Sequence, residues 1–239
     1  MPTLAESFPT VRSALVEHFA LAAAGIDRET PFEAIVRVLL DREFGGSRAV
    51  AALEVLERAG LLTPDGLAQA DVLAVRDAFH EAGIPASPQS VAPLSNLARW
   101  IVEHHGARVD SLFNPDRSTD WLRGELAAIR GIGLATADAI LLLALKRPSY
   151  PVDRATFRVL LRHGWLDPSA LYDEARELMV SQAVESGDVP EGEAANRLIE
   201  VSRGMGQLGR RFCRAAAPRC DQCPLEPLLP EGGPREFDG

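Results

Sequence analysis

Lysine is almost missing from this chain. Of 25 basic residues, Lys146 is the single lysine and arginine supplies the rest. Chemistry that needs an unprotonated side-chain amine therefore has one candidate. Cysteine is scarce as well: Cys213, Cys220 and Cys223 are the whole set, and disulfides are not expected in a reducing compartment. The longest apolar run, Ala139 to Leu145, falls far short of the roughly 20 residues that cross a bilayer. No basic stretch followed by an apolar run and a cleavage site marks a signal peptide at the N-terminus. No segment alternates with period two, so there is no strand signal. These absences lead to the expectation of a soluble, monomeric, all-α cytoplasmic protein, nucleoid-associated if the source is bacterial.

What is present is helical. Apolar residues make up 46% of 239, enough to bury the core of one large domain or two small ones. Pro9 is read as the opening of a helix through Val11, Leu15, Phe19 and Ala22, stopped by Gly25. Thr30-Pro31-Phe32-Glu33 joins a capping box to a proline at the first helical position. Ser47–Ala59 follows, then a helix capped by Asp71 and running through Phe79. Residues 84–93, with three prolines, read as a loop before a helix over Leu94–His105. Further helices are expected over Thr119–Ala128, Leu134–Lys146, Arg154–His163 and Pro168–Ala183. A basic helix runs from about Ala194 to Phe212, interrupted in expectation at Gly204, Gly206 or Gly209. The tail from Pro224 is rich in proline and glycine and reads as poorly ordered.

The net charge of −9 argues against a polyanionic partner only if read globally. Residues 146–162 hold five basic side chains against Asp153, and residues 197–219 hold six against Glu200. Such asymmetry lets one face bind phosphate while the remainder stays acidic and soluble. An ordinary solvated distribution of charge is the alternative.

The most informative stretch spans residues 126–164. A helix ends at Ile129, Gly131-Ile132-Gly133 turns the chain, and a second helix starts at once. Glycine permits the sharp turn. It also keeps a Cβ away from the amides that open the second helix, whose unpaired N–H groups suit a phosphate oxygen. Ile132 can plug the gap between the helices. Alone, this pattern equally describes a structural helix–helix corner, and Asp153 could simply cap the helix that begins at Arg154.

The larger pattern comprises Leu126, Ile129, Gly131, Ile132, Gly133, Thr136, Ala137, Ile140, Leu141, Val152-Asp153, Arg158 and Arg162. It resembles the helix-hairpin-helix (HhH-GPD) DNA glycosylase superfamily, and within it the endonuclease III branch and its monofunctional relatives. The resemblance extends over residues 30 to 225 and is sharpest over 126–164 and 208–225. It implies a two-domain fold with a DNA cleft between the domains. A six-helix barrel would span 31–148, and a second domain would join 1–30 to 149–239. It implies double-stranded DNA with a lesion or mismatch as partner and Asp153 as the catalytic carboxylate. Gly131, Ile132, Gly133, Ala135 and Thr136 would form the DNA-binding hairpin, supported by Arg42, Arg154, Arg210 and Arg211.

The chain departs from that family at four places, one of them the loop ASPQSVAPLSN (residues 86–96), which lacks the basic and aromatic residues that family members often show there. Bifunctional members carry a lysine at the position of Ala135, and it attacks C1′; here water is the expected nucleophile. Lys146 lies about 16 Å further along a helix at 1.5 Å per residue. Where the family presents a glutamine that fills the space of the flipped base, this chain has Glu43 beside Arg42. Cys213, Cys220 and Cys223 match three ligands of the family's [4Fe–4S] loop, but Leu229 stands at the fourth. Three thiolates with water or Glu226 could hold a labile cluster, a vestigial loop could be packed by Leu229, and zinc is a weaker option. The function implied is excision of an abnormal base, the alternative being a non-catalytic DNA-binding paralogue. Alkylated purine, mismatched thymine and oxidised pyrimidine are the substrates to consider, in that order.

Overall fold

The computed structural model describes residues 2–21, 29–184 and 190–236. Among them are eleven α-helices, a π-helical segment, short 3-10 turns and no strand. The chain divides into two compact units, Asp27–Leu145 and a discontinuous one made of Met1–Ile26 with Lys146–Gly239.

The contiguous unit holds α2 (Pro31–Glu43), α3 (Gly46–Arg58), α4 (Pro64–Gln69), α5 (Val72–Glu81), α6 (Pro88–His105), α7 (Thr119–Ala128) and α8 (Leu134–Ala139). The capping box that opens α2 forms as read: Thr30 N–H donates to Glu33 Oε2 (2.6 Å) and Glu33 N–H to Thr30 Oγ1 (3.3 Å). Asp71 caps α5 through the Leu73 N–H. The helix α4 was not foreseen; Thr63 caps it and Pro64 stands at its first position. The core runs from Phe32 and Ile35 through Phe79, Leu97 and Ile101 to Ile132 and Ile140.

Two readings of proline are corrected. Residues 88–93 are not loop: Ser87 caps α6, Pro88 takes the first position and Pro93 lies inside the helix. The first helix of the other unit, α1 (Leu4–Phe19), opens at a Thr3–Glu6 capping box and passes through Pro9. At a first position the missing N–H costs nothing; inside a helix, tertiary packing overrides the local penalty. Ala22 and Gly25 lie outside the described residues. The helix expected over 134–146 is α-helical only to Ala139. Ile140–Ala144 is a π segment, closed by the Leu145 N–H donating to Ile140 O at 3.0 Å.

The discontinuous unit is built around α11 (Glu191–Arg211), against which α1, α9 (Arg154–Arg162) and α10 (Tyr172–Val184) pack. That places the start of α10 four residues later than expected, with Leu171 N–H bonded to Glu174. The glycines of α11 do not break it. A Cβ on Gly204 would lie 2.7 Å from Leu15 Cβ, and one on Gly209 would lie 2.2 Å from Ala155 Cβ. They are where neighbouring helices touch backbone. The tail is ordered through Glu236, also against expectation: Leu225 is fully buried and Arg235 N–H donates to Arg162 O.

Candidate nucleic-acid interface and catalytic carboxylate

The hairpin is held shut by charge. Arg123 on α7 makes a two-point contact with Asp138 on α8, 2.8 and 3.2 Å, and the Asp138 carboxylate has no solvent exposure. Ile132 is 2% exposed and belongs to the core, as its position at the tip suggests.

The two glycines of the turn have separate jobs. Gly131 adopts φ +93°, and a Cβ there would come within 2.7 Å of Pro93 Cγ. Backbone conformation and packing against α6 both demand glycine. Gly131 therefore has a structural reason of its own, beside any approach of a ligand. Gly133 differs: its φ is −86°, and an added Cβ would meet nothing within 4 Å. Among the described residues no contact requires glycine at 133. It is the N-cap of α8 and offers no side chain to the helix's amides.

Arg42, in the last turn of α2, donates from Nε to Thr136 Oγ1 at 3.1 Å. The two line a recess of about 180 Å³ together with Glu43, Ser90, Pro93 and Gly131. The structure thus brings the Arg42–Glu43 pair onto the hairpin itself. Ala135 projects no polar group beside them. Sequence reasoning missed Pro93 and Asn96. The latter donates to Arg130 O at 2.8 Å and so anchors the residue before the turn.

Asp153 belongs to the discontinuous unit. It is the N-cap of α9, its Oδ1 accepting the Thr156 N–H at 2.7 Å, and the residue is exposed. Among the described residues the other carboxylate oxygen has no protein partner. Beneath it the buried Tyr150 hydroxyl lies 3.3 Å from Thr156 Oγ1, and burial pushes that phenol well above its usual range. Cap and reactive carboxylate are compatible roles for Asp153. Arg154 and Arg210 are exposed, and Arg211, also exposed, stacks over Phe19 at 5.4 Å. The basic count over 146–162 overstates the surface charge, because Arg147 and Arg162 are buried and Arg158 donates to Cys213 O.

No family model matches this chain. A DNA repair glycosylase of Methanocaldococcus jannaschii is 29% identical over 198 residues, covering 83% of this chain and 84% of that protein. Endonuclease III of Sulfolobus acidocaldarius is 28% identical over 193 residues, 80% and 78% of the two chains. An endonuclease III trapped as a covalent intermediate on DNA shares the fold, with a TM-score of 0.67 and 20% identity over 97% of this chain and 98% of its own. In sequence and in fold the chain is similar to the helix-hairpin-helix glycosylases.

In this chain the cysteine loop does not fit a four-iron cluster. Cys213, Cys220 and Cys223 share their surroundings with Leu229, Phe212, Leu208 and Arg162, and the space among them is about 10 Å³, near the least that admits one water. Leu229 supplies no ligand. Arg162 Nη1 donates to Cys213 Sγ at 3.1 Å, occupying the buried sulfur. Burial raises the Cys220 thiol and pushes that of Cys223 up to about 11. No group of three histidine, cysteine or acidic side chains among the described residues is arranged to hold a metal. The loop is tied down instead by His163, whose two ring nitrogens face Val159 O (2.8 Å) and Leu225 O (3.2 Å). Among the described residues no helix is long and apolar enough to cross a membrane.

Proposed function

We propose that this protein is a DNA glycosylase that hydrolyses the N-glycosidic bond of a damaged or mismatched base and leaves the strand intact. The observation that carries the reading is Gly133: conformation and packing leave its glycine unexplained, and close approach of a phosphate to the opening amides of α8 explains it. The names of the relatives support the repair function.

Asp153 carries the chemistry in this reading. As the bond to the base breaks, positive charge builds on the deoxyribose. A carboxylate fixed by its cap bond stabilises that charge and accepts a proton from the water that attacks C1′. The base departs with the bonding electrons. Extrusion of the target costs a few kcal/mol and favours bases already poorly paired. In this reading Arg42 and Glu43, beside the hairpin, meet the space the base leaves. No step passes through the cysteine loop, which we read as a structural plug.

The reading is tested on duplexes that each carry one lesion: an alkylated purine, a thymine mismatch or an oxidised pyrimidine. Alkali-dependent cleavage of one of them by the wild-type protein is expected. Asp153→Asn should lower that excision by about 10²-fold or more, the scale of a lost general base, while duplex binding persists. Binding without excision of any lesion would mark a non-catalytic paralogue, and an unchanged rate in Asp153→Asn would remove the carboxylate from the mechanism.

A further inference from the structure

Gly131 and Pro93 form a partition. On one side is the Arg42 recess; on the other is an open groove of about 620 Å³ whose polar lining is Gln89, Asn96, Arg99 and Arg130. Arg99 and Arg130 are both exposed, and neither has an ion-pair or hydrogen-bond partner for its guanidinium among the described residues. Elsewhere in this acidic protein many arginines are neutralised by carboxylates or spent on buried carbonyls, as with Arg12, Arg37, Arg123 and Arg162. The groove keeps two that are not.

The groove is also anchored. Asn96 holds the backbone carbonyl of Arg130, so the arginine's Cα is fixed relative to the hairpin turn while its side chain stays in solvent. Leu134 and Ala135, which open α8, bring no charge. Positive charge next to the hairpin must come from the flanking elements, and α6 and residue 130 supply it.

We infer that this groove is a second phosphate-binding site, taking the backbone of duplex DNA that flanks the phosphate held at the hairpin. The inference rests on the glycosylase reading for its ligand and extends it to residues outside the family pattern recognised in the sequence. A duplex backbone fits better than a small anion because the site is an open channel, continuous with the turn at Gly131, rather than an enclosed pocket. Arginine guanidinium groups suit phosphodiester oxygens by their paired donors.

The test uses the full-length protein and fluorescent duplexes over a range of salt concentrations. Arg99→Gln and Arg130→Gln should each weaken binding and lower the slope of log K against log salt by about 0.9, with the double variant losing about twice that. Arg58→Gln, an exposed arginine at the end of α3 and away from the groove, should leave the slope unchanged. Unchanged slopes in the groove variants would overturn the inference. So would an equal loss in Arg58→Gln, since that would reflect only overall charge. A wild-type protein that fails to bind duplex at low salt overturns both this site and the glycosylase reading. One that binds with the expected slopes but excises nothing supports the groove and sinks only the catalytic reading.

Discussion

Gly131 and Gly133 look interchangeable in the sequence and are not. At Gly131 a side chain faces a positive φ and the ring of Pro93; at Gly133 it faces neither. Gly131→Ala should therefore cost stability, about 1–3 kcal/mol for an L-residue in that backbone region with a contact to relieve. Gly133→Ala should leave thermal unfolding unchanged and weaken duplex binding. Melting curves and titrations of both variants separate the roles; loss of stability at Gly133 would show that its glycine serves the fold. The turn was legible from two glycines one residue apart. The division of labour was not, because Pro93 lies in another helix and had been read as the end of a loop. Asp153 was legible from its dipeptide and its place after the hairpin. Its support by Tyr150 through Thr156 required the packed structure, since hydroxyl-to-hydroxyl contacts leave no pattern in a sequence.

At the scale of elements, the buried Arg123–Asp138 pair joins the two helices of the hairpin. Removing one partner leaves the other desolvated, so Asp138→Ala should cost about 3–5 kcal/mol, read as a shift in the urea midpoint. The double change Arg123→Met with Asp138→Leu should recover part of that loss, because two apolar groups need no partner. A mild effect of Asp138→Ala would mean that the helices are held by their apolar contacts alone. Capped helix starts were legible at Thr30 and Asp71, because a cap is a local bond between neighbours in the chain, while those at Thr3, Thr63 and Ser87 went unread. Prolines misled in α1 and α6, and glycines in α11. In each case a residue that weakens an isolated helix is outweighed by packing against another one. The π segment after α8 had no local signal at all.

For the whole molecule, charge was the least legible property. Counting basic residues along the sequence placed the positive surface at 146–162 and 197–219, yet in the first segment Arg147 and Arg162 are buried and Arg158 is spent on a carbonyl. The exposed, unpartnered pair at Arg99 and Arg130 belongs to no basic run and so escaped notice. The shortage of lysine makes a molecular prediction. A Schiff base needs an amine at bonding distance from C1′, and Ala135 has none. Products should be free base and an intact abasic strand, with no adduct trapped by borohydride. Ala135→Lys should introduce trapping if the hairpin faces the sugar as proposed. Efficient trapping by the wild-type protein, abolished by Lys146→Ala, would instead make it a lyase.

The discontinuous unit fixes an order of assembly. α1 precedes its partner α11 by most of this sequence, and Leu15 cannot meet Gly204 until the residues between them have been made. The intervening unit has its own core and all of its sequence well before then. During that interval Leu4, Phe8, Val11 and Leu15, fully or almost fully buried in the finished protein, have nothing to pack against. The closing contact joins segments separated by most of the sequence, a slow class of event. The docking of α1 thus waits on α11, and substitutions in its buried face bear on the speed of maturation as well as on the finished fold.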